Sequence, residues 1–232
     1  MRAVQKFILS CCIFFSTISF AQNTQEDDLG AWYMYFFNAK FKESRFGIQG
    51  DVQYRNFNLG GDLEQLLIRS GVTFTPENTN ITLTLGIANI TTGILGENTD
   101  TFNENRIYQE ALLPQKVGNR IYLTHRFRYE QRFVDDQDFR TRYRYNLFMN
   151  IPLNKNSIEK DALYLAFYNE IFINGERNIG NDRKVGVFDR NRFYAGLGYG
   201  ITSKMRIQLG FMNQSTENVG RDQLQLSVHH NF

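Results

Sequence analysis

The chain has 232 residues, with 26 Lys and Arg against 24 Asp and Glu, 42% hydrophobic and 15% aromatic residues. Its negative mean hydropathy excludes a bundle of membrane helices, each of which needs ~20 apolar residues in a row. The aromatic share excludes a disordered chain, and the near-zero net charge excludes a general nucleic-acid binder.

Residues 1–21 read as a secretory signal peptide. Arg2 and Lys6 give a positive start, Phe7 to Phe20 form an apolar run, and Ser19-Phe20-Ala21 places small residues two apart, with cleavage after Ala21. Ile8-Leu9-Ser10-Cys11 also resembles a lipobox, but the apolar stretch before that cysteine falls short of the usual ~7–15 residues. Cleavage after Ala21 removes Cys11 and Cys12, the chain's 2 cysteines, so the exported protein has no disulfide. It also removes two bases and no acid, leaving the exported chain formally neutral. Residues 22–28 then form an N-terminal periplasmic segment, and residues 29–232 form the domain.

From residue 29 onward the apolar residues recur at period two. Ile81, Leu83, Leu85 and Ile87 alternate with Thr82, Thr84 and Gly86; Phe127 and Tyr129 alternate with Arg126, Arg128 and Glu130. Tyr143, Tyr145, Leu147 and Met149, then Met205, Ile207, Leu209 and Phe211, repeat the pattern. Period two places each set on one face of a strand. The segments 29–38, 45–56, 64–75, 80–91, 105–115, 120–133, 138–151, 162–174, 189–200, 204–213 and 222–232 follow. They are longer than the ~5–6 residues of a globular strand and match the ~9–11 of a tilted membrane-spanning one. Short connections alternate with longer polar ones (91–104, 175–188, 213–221), as periplasmic turns alternate with external loops. Pro76, Pro114 and Pro152 fall at strand ends on the short-turn side. The fold class is therefore all-β, an antiparallel up-and-down transmembrane β-barrel. Eleven segments sit badly with the even strand number of bacterial barrels, so ten or twelve strands are expected.

In such a barrel the polar set faces the lumen. That assigns to the interior Arg106 and Glu110; Arg126, Arg128, Glu130 and Arg132; Arg140, Arg142 and Arg144; Glu170; and Arg190 and Arg192. A guanidinium stays charged, so it needs carboxylates or water, and a lattice with Glu110, Glu130, Glu170 and Asp189 supplies the first. The competing reading is an anion or lipopolysaccharide-phosphate site. Inward Gly47, Gly71, Gly86, Gly196, Gly198, Gly200 and Gly210 imply space, bends, or contact with Tyr122, Tyr164 or Tyr194. At the C-terminus Leu224, Leu226, Val228 and His230 alternate up to Phe232, and a terminal aromatic on such a strand resembles an assembly signal for outer-membrane barrels.

Catalytic chemistry has thin support. Ser227 and His229 share a face, a nucleophile–base arrangement with no obvious acid to orient it. His125 is expected to face lipid. No zinc pattern exists, and Gly196-Leu197-Gly198-Tyr199-Gly200 lacks the following helix of a phosphate loop. The tips 135–138 and 178–182 could bind Ca²⁺ weakly or serve simply as polar turns.

Several motifs together resemble a known family. They are Trp32, Arg106-Ile107-Tyr108-Gln109-Glu110, the run His125 to Phe133, Arg142-Tyr143-Arg144-Tyr145, Tyr168-Asn169-Glu170-Ile171-Phe172, the run Asn191 to Tyr199, and the terminal His230-Asn231-Phe232. They are similar to the domain-of-unknown-function family 2490, whose resemblance to small outer-membrane barrels of Gram-negative bacteria implies the same fold and no established activity.

The expectation is thus an outer-membrane β-barrel, structural or narrowly transporting, not an enzyme and without metal or cofactor. Its partners would be outer-membrane lipid and, during biogenesis, the barrel-assembly machinery, with no nucleic acid; the sequence leaves its oligomeric state open. The alternatives are an outer-membrane lipid esterase or acylase using Ser227 and His229, and a soluble periplasmic β-barrel or sandwich that binds a ligand.

Overall fold

The computed structural model describes residues 29–96 and 99–232. Residues 1–21, expected to be a signal peptide, and the segment 22–28 lie outside the described residues. Eleven strands form one closed barrel: β1 (Gly30–Lys40), β2 (Phe46–Asn56), β3 (Leu63–Phe74), β4 (Thr82–Gly93), β5 (Thr101–Val117), β6 (Ile121–Val134), β7 (Arg140–Pro152), β8 (Leu163–Asn174), β9 (Phe188–Gly200), β10 (Met205–Ser215) and β11 (Gly220–Asn231). Each neighbouring pair is antiparallel except β1 and β11, which run parallel from Gly30↔Gln223 to Asn38↔Asn231. This seam explains why the count falls between ten and twelve. An odd barrel of hairpins must close on one parallel pair, and β1 is a full wall strand rather than a fragment.

The parallel seam places Gly30 at the end of the barrel opposite to Asn231. Connections 41–45, 75–81, 118–120, 153–162 and 201–204 lie at the C-terminal end; 57–62, 94–96 with 99–100, 135–139, 175–187 and 216–219 lie at the other. The expected contrast of short and long connections is mostly absent. Polar residues assigned to loops extend the ladders instead: Thr91 pairs with Asn103 and Gln214 with Arg221. Outward side chains reinforce this, with Thr91 Oγ1 donating to Asn103 Oδ1 at 2.9 Å and Asn213 Nδ2 to Asp222 Oδ1 at 2.8 Å. Only 175–187 remains a long loop. It docks on the 135–139 turn, where Asp138 N donates to Ile179 O at 3.0 Å and Arg183 Nη2 to Asp136 O at 2.5 Å. β5 also runs three residues past Pro114, which pairs with Thr124 near the strand end.

The two faces of the wall are inverted relative to a water-soluble barrel. Leu85, Ile87, Leu209, Phe211, Tyr143 and Phe127 are among the exposed large side chains, and Ile87 is 65% exposed. Arginine, glutamate and glutamine fill the interior, with Glu130 at 1% exposure. His125 lies on the outer face, within 2.8 Å of Tyr145 Oη.

Two inward glycines make room for tyrosines across the ladder. Gly198 pairs with Tyr164, and a Cβ on Gly198 would stand 2.1 Å from the Tyr164 ring. Gly86 pairs with Tyr108 in the same way, at 2.3 Å. Laying an aromatic ring over a cross-strand glycine covers its bare backbone. Tyr122, the third expected partner, donates instead to Asn156 O at the C-terminal end.

Candidate functional site

The lumen is built by cross-strand register. Arg106, Arg132 and Arg140 stand opposite one another on β5, β6 and β7, and Arg128 stands opposite Arg144. Like charges in directly facing positions repel, so the arrangement depends on carboxylates set among them, Glu110 directly opposite Arg128 and Glu130 directly opposite Arg142. Glu104 accepts from Arg106 at 2.6 Å and also from Arg132. Glu130 accepts from Arg144 at 2.6 Å and Arg142 at 2.7 Å, with Arg106 at 3.6 Å and Arg128 at 3.8 Å. Glu170 takes Arg126 and Arg144, each at 2.7 Å. Glu110 takes Arg128 and, from the opposite side, Gln49 Nε2 at 2.8 Å. Asp189 takes Arg142 at 2.9 Å and Arg190 at 3.2 Å.

Two of the expected lattice residues stand apart. Arg140 is half-buried and makes no ion pair among the described residues. Arg192 pairs with no carboxylate among the described residues either; it donates to Gln214 Oε1 at 2.8 Å. Its guanidinium lies between two rings, 4.8 Å from the Trp32 centroid and 4.8 Å from that of Phe172. Arg55 covers Trp32 at 3.8 Å and Arg144 covers Phe172 at 4.4 Å. Cations and ring faces thus alternate across the lumen, as ring quadrupoles favour. Trp32 Nε1 donates to Glu64 Oε2 at 2.9 Å.

Three lattice members escaped the sequence reading. Glu104 fell in a segment read as loop, although the spacing Glu104-Arg106-Tyr108-Glu110 carries the alternation back to it. Asp51 and Arg69 form a buried pair at 2.8 Å between β2 and β3. Polar residues alternate there too, but β2 and β3 lack the dense arginine runs of β6 and β7.

The lattice fills the part of the lumen beneath the 175–187 loop. The remainder is a cavity of about 420 Å³, running from Trp32 to the C-terminal rim at Asn38, Asn150 and Asn231. Ser227 and His229 line it, with Ser227 Oγ 3.1 Å from His229 Nε2 and the imidazole stacked on Phe36 at 4.8 Å. Among the described residues no carboxylate hydrogen-bonds His229. Leu224, Leu226, Val228 and His230 occupy the outer face of β11. The Phe232 ring lies tilted against His230 at 4.0 Å, and its amide donates to Asn38 O at 2.9 Å. The two tips considered for Ca²⁺ engage each other, and the described residues contain no cluster of three metal-ligating side chains.

Neither the curated proteins nor the solved structures contain a match to this chain. Residues 29–225 match the family model described as protein of unknown function (DUF2490), a span that runs from the start of β1 to the middle of β11, and the chain belongs to that family.

Proposed function

We propose that the protein is an integral outer-membrane β-barrel whose arginine–carboxylate lattice closes the lumen at the end covered by the 175–187 loop. It serves as a structural wall component or a narrow, gated path rather than an open pore. One observation carries this reading: the wall turns its large apolar side chains outward and its charges inward. Exposed to water, a continuous apolar belt of this kind would drive aggregation; against hydrocarbon it is the favourable surface. Strand lengths of 11–17 residues suffice to cross a bilayer when tilted. Outward polar pairs such as Asn89 with Asn105, at 3.0 Å, mark where the belt ends toward the loop-covered rim.

The test is cell fractionation of the full chain followed by planar-bilayer recording of the purified barrel. The reading expects recovery with outer-membrane lipid, extraction only by detergent, and no steady open conductance. A protein that stays dissolved without amphiphile would reject the membrane location. A constant large conductance would reject the closed lumen.

A further inference from the structure

The cavity at the C-terminal end has a charge imbalance that the lattice does not resolve. Seven arginines line it against three carboxylates, Asp51, Glu110 and Glu170; these and Glu130 hold Arg69, Arg126, Arg128 and Arg144, while Arg55, Arg192 and Arg206 make no ion pair among the described residues. Four buried donors on the same lining make no hydrogen bond among the described residues: Arg206 Nε and Gln225 Nε2, and Arg126 Nε and Arg128 Nη1, whose nearest carboxylates stand off at 3.8 Å. Arg128 is 7% exposed and Gln225 2% exposed. Unsatisfied buried donors cost free energy unless a partner arrives, and an enclosed positive field draws anions. Apolar side chains share the lining, Met34, Phe36, Leu112 and Phe148 among them, beside neutral polar ones such as Gln49, Asn146, Gln208 and Ser227.

We propose that this cavity binds a small organic oxyanion, a phosphate or carboxylate head on an apolar body. The head would accept from the unpartnered guanidinium and amide donors, while the body would lie against Phe36 and Phe148. The volume of about 420 Å³ equals the liquid volume of about fourteen waters, enough for a compact amphiphile but too little for a two-chain lipid. The wall is closed and the cavity reaches the C-terminal rim, so the ligand enters as a free molecule from that end. This holds independently of where the barrel resides.

Trp32, the 1 tryptophan of the chain, lines the cavity and reports occupancy by its fluorescence. The purified full-length barrel in a neutral detergent is titrated with octyl phosphate, octanol, inorganic phosphate and dioctanoyl phosphatidic acid. Saturable binding of octyl phosphate about tenfold tighter than any of the other three is expected. Two variants test the donors. Arg206→Gln removes a guanidinium that makes no ion pair among the described residues and should weaken octyl phosphate about tenfold. Gln225→Glu keeps an acceptor for Tyr168 Oη, now 3.0 Å from Gln225 Oε1. It replaces the free donor by a carboxylate and should abolish binding while the far-ultraviolet spectrum stays that of the parent.

Equal binding of octanol would overturn the anion, and equal binding of inorganic phosphate the apolar body. Preference for phosphatidic acid would overturn the free-ligand route. No saturable signal, or unchanged affinity in both variants, would mean that the cavity holds water only. Since the titration is done in detergent, its failure leaves the membrane assignment untouched.

Discussion

Glu130 faces Arg142 directly across the β6–β7 ladder, and its carboxylate accepts from that guanidinium at 2.7 Å while also holding Arg144 at 2.6 Å. Four arginines in all lie within 3.8 Å of one buried carboxylate. Removing a partner from such a group leaves uncompensated charge in a poorly solvated interior, which is far costlier than losing a pair at the surface. Glu130→Gln should therefore lower the stability of the barrel by about 3–5 kcal/mol, read as a reduced unfolding midpoint in urea and detergent. The pair Arg45–Glu77 at the C-terminal rim, with side chains 52% and 70% exposed, gives the contrast. Glu77→Gln should shift stability by less than ~1 kcal/mol. Equal effects would show that the lumen is well hydrated.

The glycine–tyrosine contacts give a packing prediction. Gly198→Ala puts a methyl group where the Tyr164 ring now lies, and Tyr164 is fully buried. The cost should be about 1–3 kcal/mol, the range for overpacking. Adding Tyr164→Phe should recover little, because the clash is with the ring, whereas adding Tyr164→Ala should remove the Gly198→Ala penalty. A double-mutant cycle that finds the two sites additive would place the ring elsewhere.

The proposed bilayer predicts a depth-dependent response on the outer wall. Ile87 lies mid-strand on β4 and is 65% exposed. Ile87→Arg should cost about 2–4 kcal/mol if this surface meets hydrocarbon. Near the loop-covered rim, Asn105→Arg on β5 should change stability little. In a barrel surrounded by water, Ile87→Arg would be nearly neutral, so comparing the two variants in lipid vesicles decides between the environments.

The Ser227–His229 contact predicts the absence of hydrolysis. The serine and histidine are 3.1 Å apart, but among the described residues no carboxylate hydrogen-bonds the imidazole to orient it, and His229 stacks on Phe36. No turnover of short-chain aryl esters above background is expected, and Ser227→Ala should leave that background unchanged. Ester cleavage lost in Ser227→Ala would establish the lipid-esterase alternative.

Much of the fold was legible because a strand reports its two faces residue by residue. The run Arg126, Arg128, Glu130, Arg132 against Phe127, Tyr129 and Phe133 fixes which side chains share an interior as soon as the segment is a strand. Wall strands and charged lumen both follow from local pattern. Alternation does not tell one strand's neighbour, its register or its contact across the barrel. That Arg106, Arg132 and Arg140 stand in a row and that Glu104 joins them were settled by hairpin register, and that Arg192 lies between Trp32 and Phe172 by closure of the barrel. The parallel seam between β1 and β11 belongs to the same class, as do the unpartnered donors of the cavity. Periodicity along a chain is a property of consecutive residues, while pairing between residues 160 positions apart or more, such as Trp32 and Arg192, exists only after every intervening strand has been laid in register.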